Sequence, residues 1–380
     1  MRYLVLGAGL QGRAAAHDLL RCGGEVLLCD ASEAALASAS AFLGAHPALR
    51  TARADAAQPA QIAGLARGCT VVLSCVPYFL NLPLARAAIE AGCHFLDLGG
   101  STEIVLQELA LDAAARAQGV GLVPDCGLGP GMISTIAVAA MEGYSRIDEV
   151  LIYDCGLPQQ PRPPLNYMLL FSVHGLLNEY FHEGTALQHG RRVAVAGLSD
   201  LETIECPPPL GRCEAAHASG GLSTMAYTFE GKVGRMFNKL IRYPGHIGLM
   251  HALRDMGFLD EQPLDVNGVS LPPWAMTARV LERHLDRPGE KDLVFIRVIV
   301  RGEKDGQARE TVCQMFDAFD EAAGLTAMMR TTGFPASIVA QMLARGEIGP
   351  GARPVELAVP ARPFLREAEQ RGFRFTWQES

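Results

Sequence analysis

Gly7-Ala8-Gly9-Leu10-Gln11-Gly12 is a glycine turn of the kind that carries a dinucleotide pyrophosphate. Asp30 stands one helix and one strand further on, where a carboxylate accepts both hydroxyls of a ribose. Gly7 lets the chain turn sharply out of a strand. Gly9 lets phosphate reach the backbone of Leu10 and Gln11 at a helix N-terminus, and Gly12 lets that helix lie close to the sheet. The chemistry implied is hydride transfer with a nicotinamide cofactor. Asp30 repels a 2′-phosphate, and Ala31 and Ser32 bring no cation, so the expected cofactor is NAD rather than NADP.

In a parallel sheet, ligands lie outside the carboxyl ends of the strands. Besides the glycine turn, the segments Cys75–Tyr78, Asp97–Gly100 and Asp125–Gly131 end strands of this kind. The nicotinamide is expected near Cys75, Pro77 and Gly127. Gly127, Gly129 and Gly131 precede a helix, so either an open helix N-terminus for a carboxylate or amide, or merely a tight turn, fits that stretch. In the second half, HASGGLST offers Ser219 and Gly220 as pocket lining. KLIRYPGH brings Lys239, Arg242 and His246 together. Arg242 suits a bidentate clamp on a substrate carboxylate. Asp97, Tyr78 and His246 are the candidates for proton handling, and Asn166, Tyr167 and His174 are weaker ones.

These groups need a scaffold. Strands are expected at 1–6, 25–30, 49–52, 70–75, 94–98 and 120–124, separated by helices, the pattern of a Rossmann domain. The rhythm changes near Ser145. Strands at 148–154, 193–196, 224–229, 292–301 and 309–316, with helices at 167–180 and 272–285, read as a mixed α+β domain. Asp305-Gly306 is a hairpin turn. An antiparallel sheet needs its faces or edges covered, so a homodimer or higher homo-oligomer through this domain is expected, its own helices being the alternative. A last helix is expected from Pro335 to Arg345, with the final thirty residues on the surface.

Composition narrows the class. The chain has 380 residues, 49% apolar and 19% charged, with net charge −8. No basic tract suggests nucleic acid, and no run reaches membrane-span length. Ten cysteines without a CxxC pair or zinc spacing fit a reducing cytoplasm and no metal. The first residues are a strand the fold requires, so no leader peptide is expected there.

The ordered set of MRYLVLGAGLQGRAAAHDLL, CVPYFLNLPLARAAIEAGCHFLDLGG, PDCGLGPGM, HASGGLST, KLIRYPGH and TTGFPASIVAQMLARGEI resembles the saccharopine dehydrogenase-like oxidoreductases, most of all the bacterial lysine 6-dehydrogenase branch. The resemblance implies a Rossmann domain (1–143), an inserted α+β substrate and dimerisation domain (144–324), and a C-terminal segment (325–380) returning to the first. It implies oxidation of the 6-amino group of L-lysine with NAD, with release of ammonia and cyclisation of the aldehyde. Saccharopine or another opine-type secondary amine is the alternative substrate, and a non-catalytic NAD-binding protein the alternative class. Saccharopine-forming members carry an aspartate in a GLDPG turn that is linked to their catalysis. Here the position is Gly129, which favours the lysine side.

Overall fold

The computed structural model describes residues 1–380. Its first sheet is wholly parallel. In chain order its strands are β1 (Arg2–Leu6), β2 (Glu25–Asp30), β3 (Leu49–Arg53), β4 (Val71–Ser74), β5 (His94–Asp97) and β6 (Gly121–Val123). The sheet runs β6-β5-β4-β1-β2-β3. β1 and β4 are almost continuously buried, as their apolar sequences require of strands covered on both faces.

The second sheet has nine strands. Its central strand β7 (Tyr144–Pro158) is much longer than the expected 148–154. It is followed by β8 (Glu183–Gln188), β9 (Arg191–Ala196), β10 (Glu202–Cys206), β11 (Gly211–His217) and β12 (Val233–Arg242). A small separate hairpin, β13 (Leu264–Val266) with β14 (Val269–Leu271), precedes β15 (Asp292–Lys304) and β16 (Gln307–Ala318). The turn of the β15–β16 hairpin is Asp305-Gly306, both with positive φ, which matches the right-handed twist of the strands. β7 is buried without a break from Val150 to Pro158. One face packs with the dinucleotide domain in a common core, and the other packs on the helices Val173–Phe181, His246–Asp255 and Pro273–Leu285. The chain thus covers the middle of this sheet itself.

Several expectations change. Residues 224–229 form a short helix (Met225–Thr228) rather than a strand, tied down where Thr224 and Thr228 donate to Glu356 at 3.0 and 2.6 Å. The helix near 167–180 begins only at Val173, capped by Ser172. The last helix runs Ala327–Ala344, with Pro335 inside it. Thr326 caps its start, and Asp292 on β15 accepts from the amides of Ala327 and Met328 at 2.7 and 2.8 Å. Long-range capping sets this boundary, which the proline rule placed eight residues too late.

The C-terminal segment divides between the two domains. The helix Ala327–Ala344 lies on the first helix, Leu10–Arg21, and β17 (Gly351–Ala352) extends the parallel sheet beside β6. The final strand β18 (Phe375–Glu379) instead pairs with β16 in the second sheet. The segment is therefore not purely a return to the dinucleotide domain. Nor does it all lie on the surface, since Phe364, Leu365 and Phe373 are buried.

A buried ion pair locks this return. Asp18 Oδ2 accepts from Arg371 Nε and from Ser337 Oγ, both at 2.7 Å, with the Arg371 and Asp18 side chains 5% and 1% exposed. Arg371→Ala leaves a carboxylate buried without its cation. Urea denaturation is expected to show a loss of about 3–5 kcal/mol, partly recovered by Asp18→Asn in the same chain. A loss below about 1 kcal/mol would show that the C-terminal segment docks without this pair.

Candidate active site

The glycine turn behaves as its spacing predicts. Gly7 has φ +96°, and a Cβ there would press on the Cys75 carbonyl at 2.8 Å. A Cβ on Gly12 would run into the Gly7 carbonyl. At Gly9 nothing lies within 4 Å, so open space faces the helix start. The helix Leu10–Arg21 has no side-chain cap, and the amides of Leu10, Gln11 and Gly12 have no partner in the protein. This is a cradle shaped for a phosphate group. Asp30 is held at its rim, with Oδ2 accepting from Ala8 N and Oδ1 from Ser32 N, both at 2.8 Å. These residues fit a dinucleotide. Cys75 packs against the turn, and burial pushes its thiol well up. Pro77 is exposed beyond it.

The second glycine turn differs. A Cβ on Gly131 would collide with the Gly127 carbonyl, and one on Gly127 would approach the Leu98 carbonyl to 3.2 Å. The helix Met132–Met141 spends its first amides on its own turn. Gly131 N donates to Ser134 Oγ, Met132 N to Gly127 O and Ile133 N to Leu128 O, at 2.9–3.3 Å. Of the two readings of Gly127–Gly131, the tight turn is the one the geometry supports.

Asp97, at the end of β5, is fully buried. Its Oδ1 accepts from Gly99 N at 2.6 Å and Asp125 N at 3.3 Å, so it pins two strand ends together, while Oδ2 has no partner. Glu108 and Asp125 sit beside it. Burial, then mutual repulsion, keeps Glu108 protonated and raises Asp125, and burial raises Asp97. Asp125 has a left-handed φ of +64°, which aspartate tolerates better than most residues, and its Oδ2 accepts from Ser223 Oγ of the second domain at 2.6 Å. Tyr78 is half-buried and lies against Gly100, where a Cβ would meet the Tyr78 Cβ at 3.0 Å and its ring at 3.1 Å.

The second domain closes over these strand ends. Asn178 donates to the Gly100 carbonyl at 3.2 Å. Ser219 binds the Val173–Phe181 helix through its hydroxyl, which donates to Asn178 O, and through its amide, which donates to Glu179 O at 2.9 Å. Gly220 has φ +80° and free space at its Cβ. Asp154 on β7 and Asn238 on β12 face the crevice, with Asn238 Nδ2 donating to Asp154 Oδ1 at 2.6 Å. Arg242 is 2% exposed and lies 3.9 Å from Glu179. Burial, opposed by Arg242 and reinforced by Asp154, pushes Glu179 up to about 8.

Two expected site residues are placed elsewhere. Lys239 is on β12 between Asn238 and Leu240, so strand alternation turns it to the opposite face from Asn238. There it pairs with Asp200 and Glu202 at 2.8 and 2.9 Å. His246 is 1% exposed, with Nδ1 against the Leu165 carbonyl at 2.7 Å and Nε2 against the Tyr180 hydroxyl at 2.9 Å. Tyr180 in turn accepts from Arg242 Nε at 2.5 Å. The imidazole donates at Nδ1, accepts at Nε2, and has no valence left for a proton relay. It positions Tyr180 and hence Arg242. Glu108, Asp154, Glu179 and Asn238 were not singled out from sequence, while Asp125 and Ser223 fall within the Asp125–Gly131 and HASGGLST stretches expected at the site. The period of two along β7 and β12 was the available signal for Asp154 and Asn238, but only pairing shows which face meets the crevice.

Burial, then the Arg242 charge, pushes His246 down to about 3. Unfolded histidine titrates near 6.5. As pH falls below about 6.5, the unfolded state takes up a proton that the folded state refuses, and stability drops by about 1.4 kcal/mol per pH unit from this group. The difference in unfolding free energy between wild type and His246→Gln should shrink from pH 7 to pH 5, since the flanking Tyr167, Tyr180 and Arg242 do not titrate there. A parallel pair of curves would contradict the neutral assignment.

Comparison with known proteins agrees with this architecture. Residues 3–123 match the family model "Saccharopine dehydrogenase NADP binding domain", and residues 127–373 match "Saccharopine dehydrogenase C-terminal domain". The saccharopine dehydrogenase [NADP(+), L-glutamate-forming] of Schizosaccharomyces pombe is 26% identical over 273 residues, covering 68% of this chain and 59% of its own. The mitochondrial alpha-aminoadipic semialdehyde synthase of Bos taurus is 21% identical, covering 85% of this chain and 42% of its own. This chain therefore spans a little over half, or less, of these relatives' lengths. The apo saccharopine dehydrogenase (L-Glu forming) of Saccharomyces cerevisiae superposes with a TM-score of 0.80 at 17% identity, covering 100% of this chain and 99% of that one, which shows the shared fold. With a parallel dinucleotide-binding sheet, a second domain closing its carboxyl edge, and both family models matched in order, the chain belongs to the saccharopine dehydrogenase family.

Proposed function

We propose that this protein is a nicotinamide-nucleotide dehydrogenase that oxidises a carbon–nitrogen bond of a lysine-derived amino acid. The observation that carries this reading is the open phosphate cradle at Gly9 on the same sheet edge as a crevice lined by Asp154, Glu179 and Arg242. The bound cofactor supplies a hydride acceptor. The amine gives up an N–H proton and its carbon a hydride, a C=N bond forms, water adds, and the C–N bond breaks to leave an aldehyde and a free amine. The chain's own residues bind and align the amino acid. Arg242 suits its carboxylate, and the helix Val173–Phe181 with the Ser219–Ser223 loop shields the reacting end from water.

Two substrates compete. The names of the relatives favour saccharopine, a secondary amine with three carboxylates. The crevice favours L-lysine, because Lys239 is turned away to Asp200 and Glu202 and does not join Arg242 as a second cation for the extra carboxylates of saccharopine. Initial rates on saccharopine, L-lysine, L-ornithine and a simple diamine separate them. Glutamate as product identifies saccharopine, and ammonia released fastest from L-lysine identifies lysine. Turnover of none, despite tight cofactor binding, would overturn the reading.

For the cofactor we propose NAD, although the relatives are named for NADP. Asp30 is fixed by two backbone amides at the ribose edge. The neighbouring Arg53 is committed to Ala31 O and Glu33, at 3.1 and 3.3 Å. Wild type should favour NAD in kcat/KM, and Asp30→Ser should move the NAD/NADP ratio toward NADP by roughly tenfold, about 1.4 kcal/mol. Preference of the wild type for NADP would mean that Arg53 leaves Glu33 to take the 2′-phosphate.

A further inference from the structure

Asp154 has an unusual setting. It belongs to the second domain yet is only 6% exposed. Its Oδ1 is committed to Asn238, and its Oδ2 takes no hydrogen bond from the protein. That oxygen looks across at Gly129, where a Cβ would stand 3.6 Å from it and 3.0 Å from Ile133 Cδ1. Gly129 lies in the turn after β6, at the carboxyl edge of the parallel sheet, where the nicotinamide end of a dinucleotide belongs. The lack of a side chain at 129 therefore leaves a gap between the cofactor's edge and a free carboxylate oxygen.

The rest of the wall is charged in a defined way. Burial raises the Asp154 carboxyl, opposed by the Asn238 hydrogen bond and the Arg242 charge, and Arg242 lies 3.9 Å from Glu179. Glu179 keeps 28% of its side chain exposed. A guanidinium flanked by a carboxyl group is complementary to an α-amino acid head, carboxylate to cation and ammonium to carboxyl oxygen. Burial holds Glu179 up at about 8, so at neutral pH it is largely protonated, and the free Oδ2 of Asp154 is the acceptor turned toward Gly129. A second amine gives Asp154 a hydrogen-bonding cation, whereas a further carboxylate placed there would meet it as a like charge.

We infer that Asp154, across the gap left by Gly129, receives the reacting amine, while Arg242 and Glu179 hold the α-amino acid head, so that the crevice selects an amino acid bearing a second, cationic amine. The assignment rests on the reaction class proposed above and names its substrate charge. It makes Asp154 a specificity-determining residue.

Calorimetric titration of the NADH-loaded protein with L-lysine and with L-norleucine, which has the same chain without the amine, tests it independently of turnover. Wild type should bind lysine at least roughly tenfold more tightly, the scale of one charge-assisted hydrogen bond. Asp154→Asn should erase that difference and leave norleucine unchanged. Glu179→Gln should weaken both ligands by a similar factor. Gly129→Ala fills the gap at a residue with no left-handed φ while keeping the carboxylate, and should also cost lysine selectively. It provides the answer if Asp154→Asn fails to fold. Equal binding of the two ligands by wild type, or a lysine preference that survives both Asp154→Asn and Gly129→Ala, overturns the inference. Turnover of saccharopine with no lysine preference overturns it while leaving the reaction class standing. Absence of turnover on every amine overturns the reaction class, and the binding ratios still decide the subsite.

Discussion

The contact of the helix Ala327–Ala344 with the helix Leu10–Arg21 is the constraint on which the rest depends. At Gly333 a Cβ would meet Ala14 Cβ at 2.7 Å, Ala15 N at 2.8 Å and Gln11 O at 3.0 Å. The helix backbones touch there because neither has a side chain to spare. The same helix starts on Asp292 of the second sheet and is stapled to Asp18 through Ser337. One rigid element thus fixes the glycine turn relative to the second sheet, and so fixes the width of the crevice.

Within that frame, several polar groups are buried close together. Asp97, Glu108 and Asp125 crowd the floor, and Asp154, Glu179 and Arg242 line the second-domain wall. Desolvation raises every carboxyl in this set, and some of their oxygens have no protein partner. Such groups destabilise a fold unless something offsets them, so a crevice that keeps them is more consistent with ligand chemistry than with packing. His246, by contrast, is spent on structure. Its two hydrogen bonds turn a residue with the right chemistry for proton transfer into a support for Tyr180 and Arg242.

Legibility in the sequence followed locality. The glycine turn, the alternation of strands and helices to β6, the Asp305-Gly306 hairpin and the helix near 272–285 all depend on neighbours a few residues apart, and all appear where expected. Arg242 was recognisable as a cation close to a turn, and the structure puts it in the crevice wall. Lys239, three residues earlier in the same motif, faces the other way because the stretch is a strand, and strands alternate. The misplaced start of the last helix has the same origin, since its caps come from Asp292 and Thr326 rather than from the proline within it.

The sequence by itself determined the dinucleotide cradle, because Gly7, Gly9, Gly12 and Asp30 carry their geometry in residue type and short spacing. It also determined the division into a parallel-sheet domain and a mixed α+β domain, because hydrophobic periodicity is a local property, but the second sheet was expected to be antiparallel and β12 instead pairs with β7 in parallel. Only the tertiary structure decided that Asp154 looks past Gly129, that Ser223 reaches Asp125, and that β18 ends on the second sheet rather than returning to the first. The physical reason is that these are encounters between residues far apart in the chain. They are set by sheet register and helix packing, which no local pattern encodes.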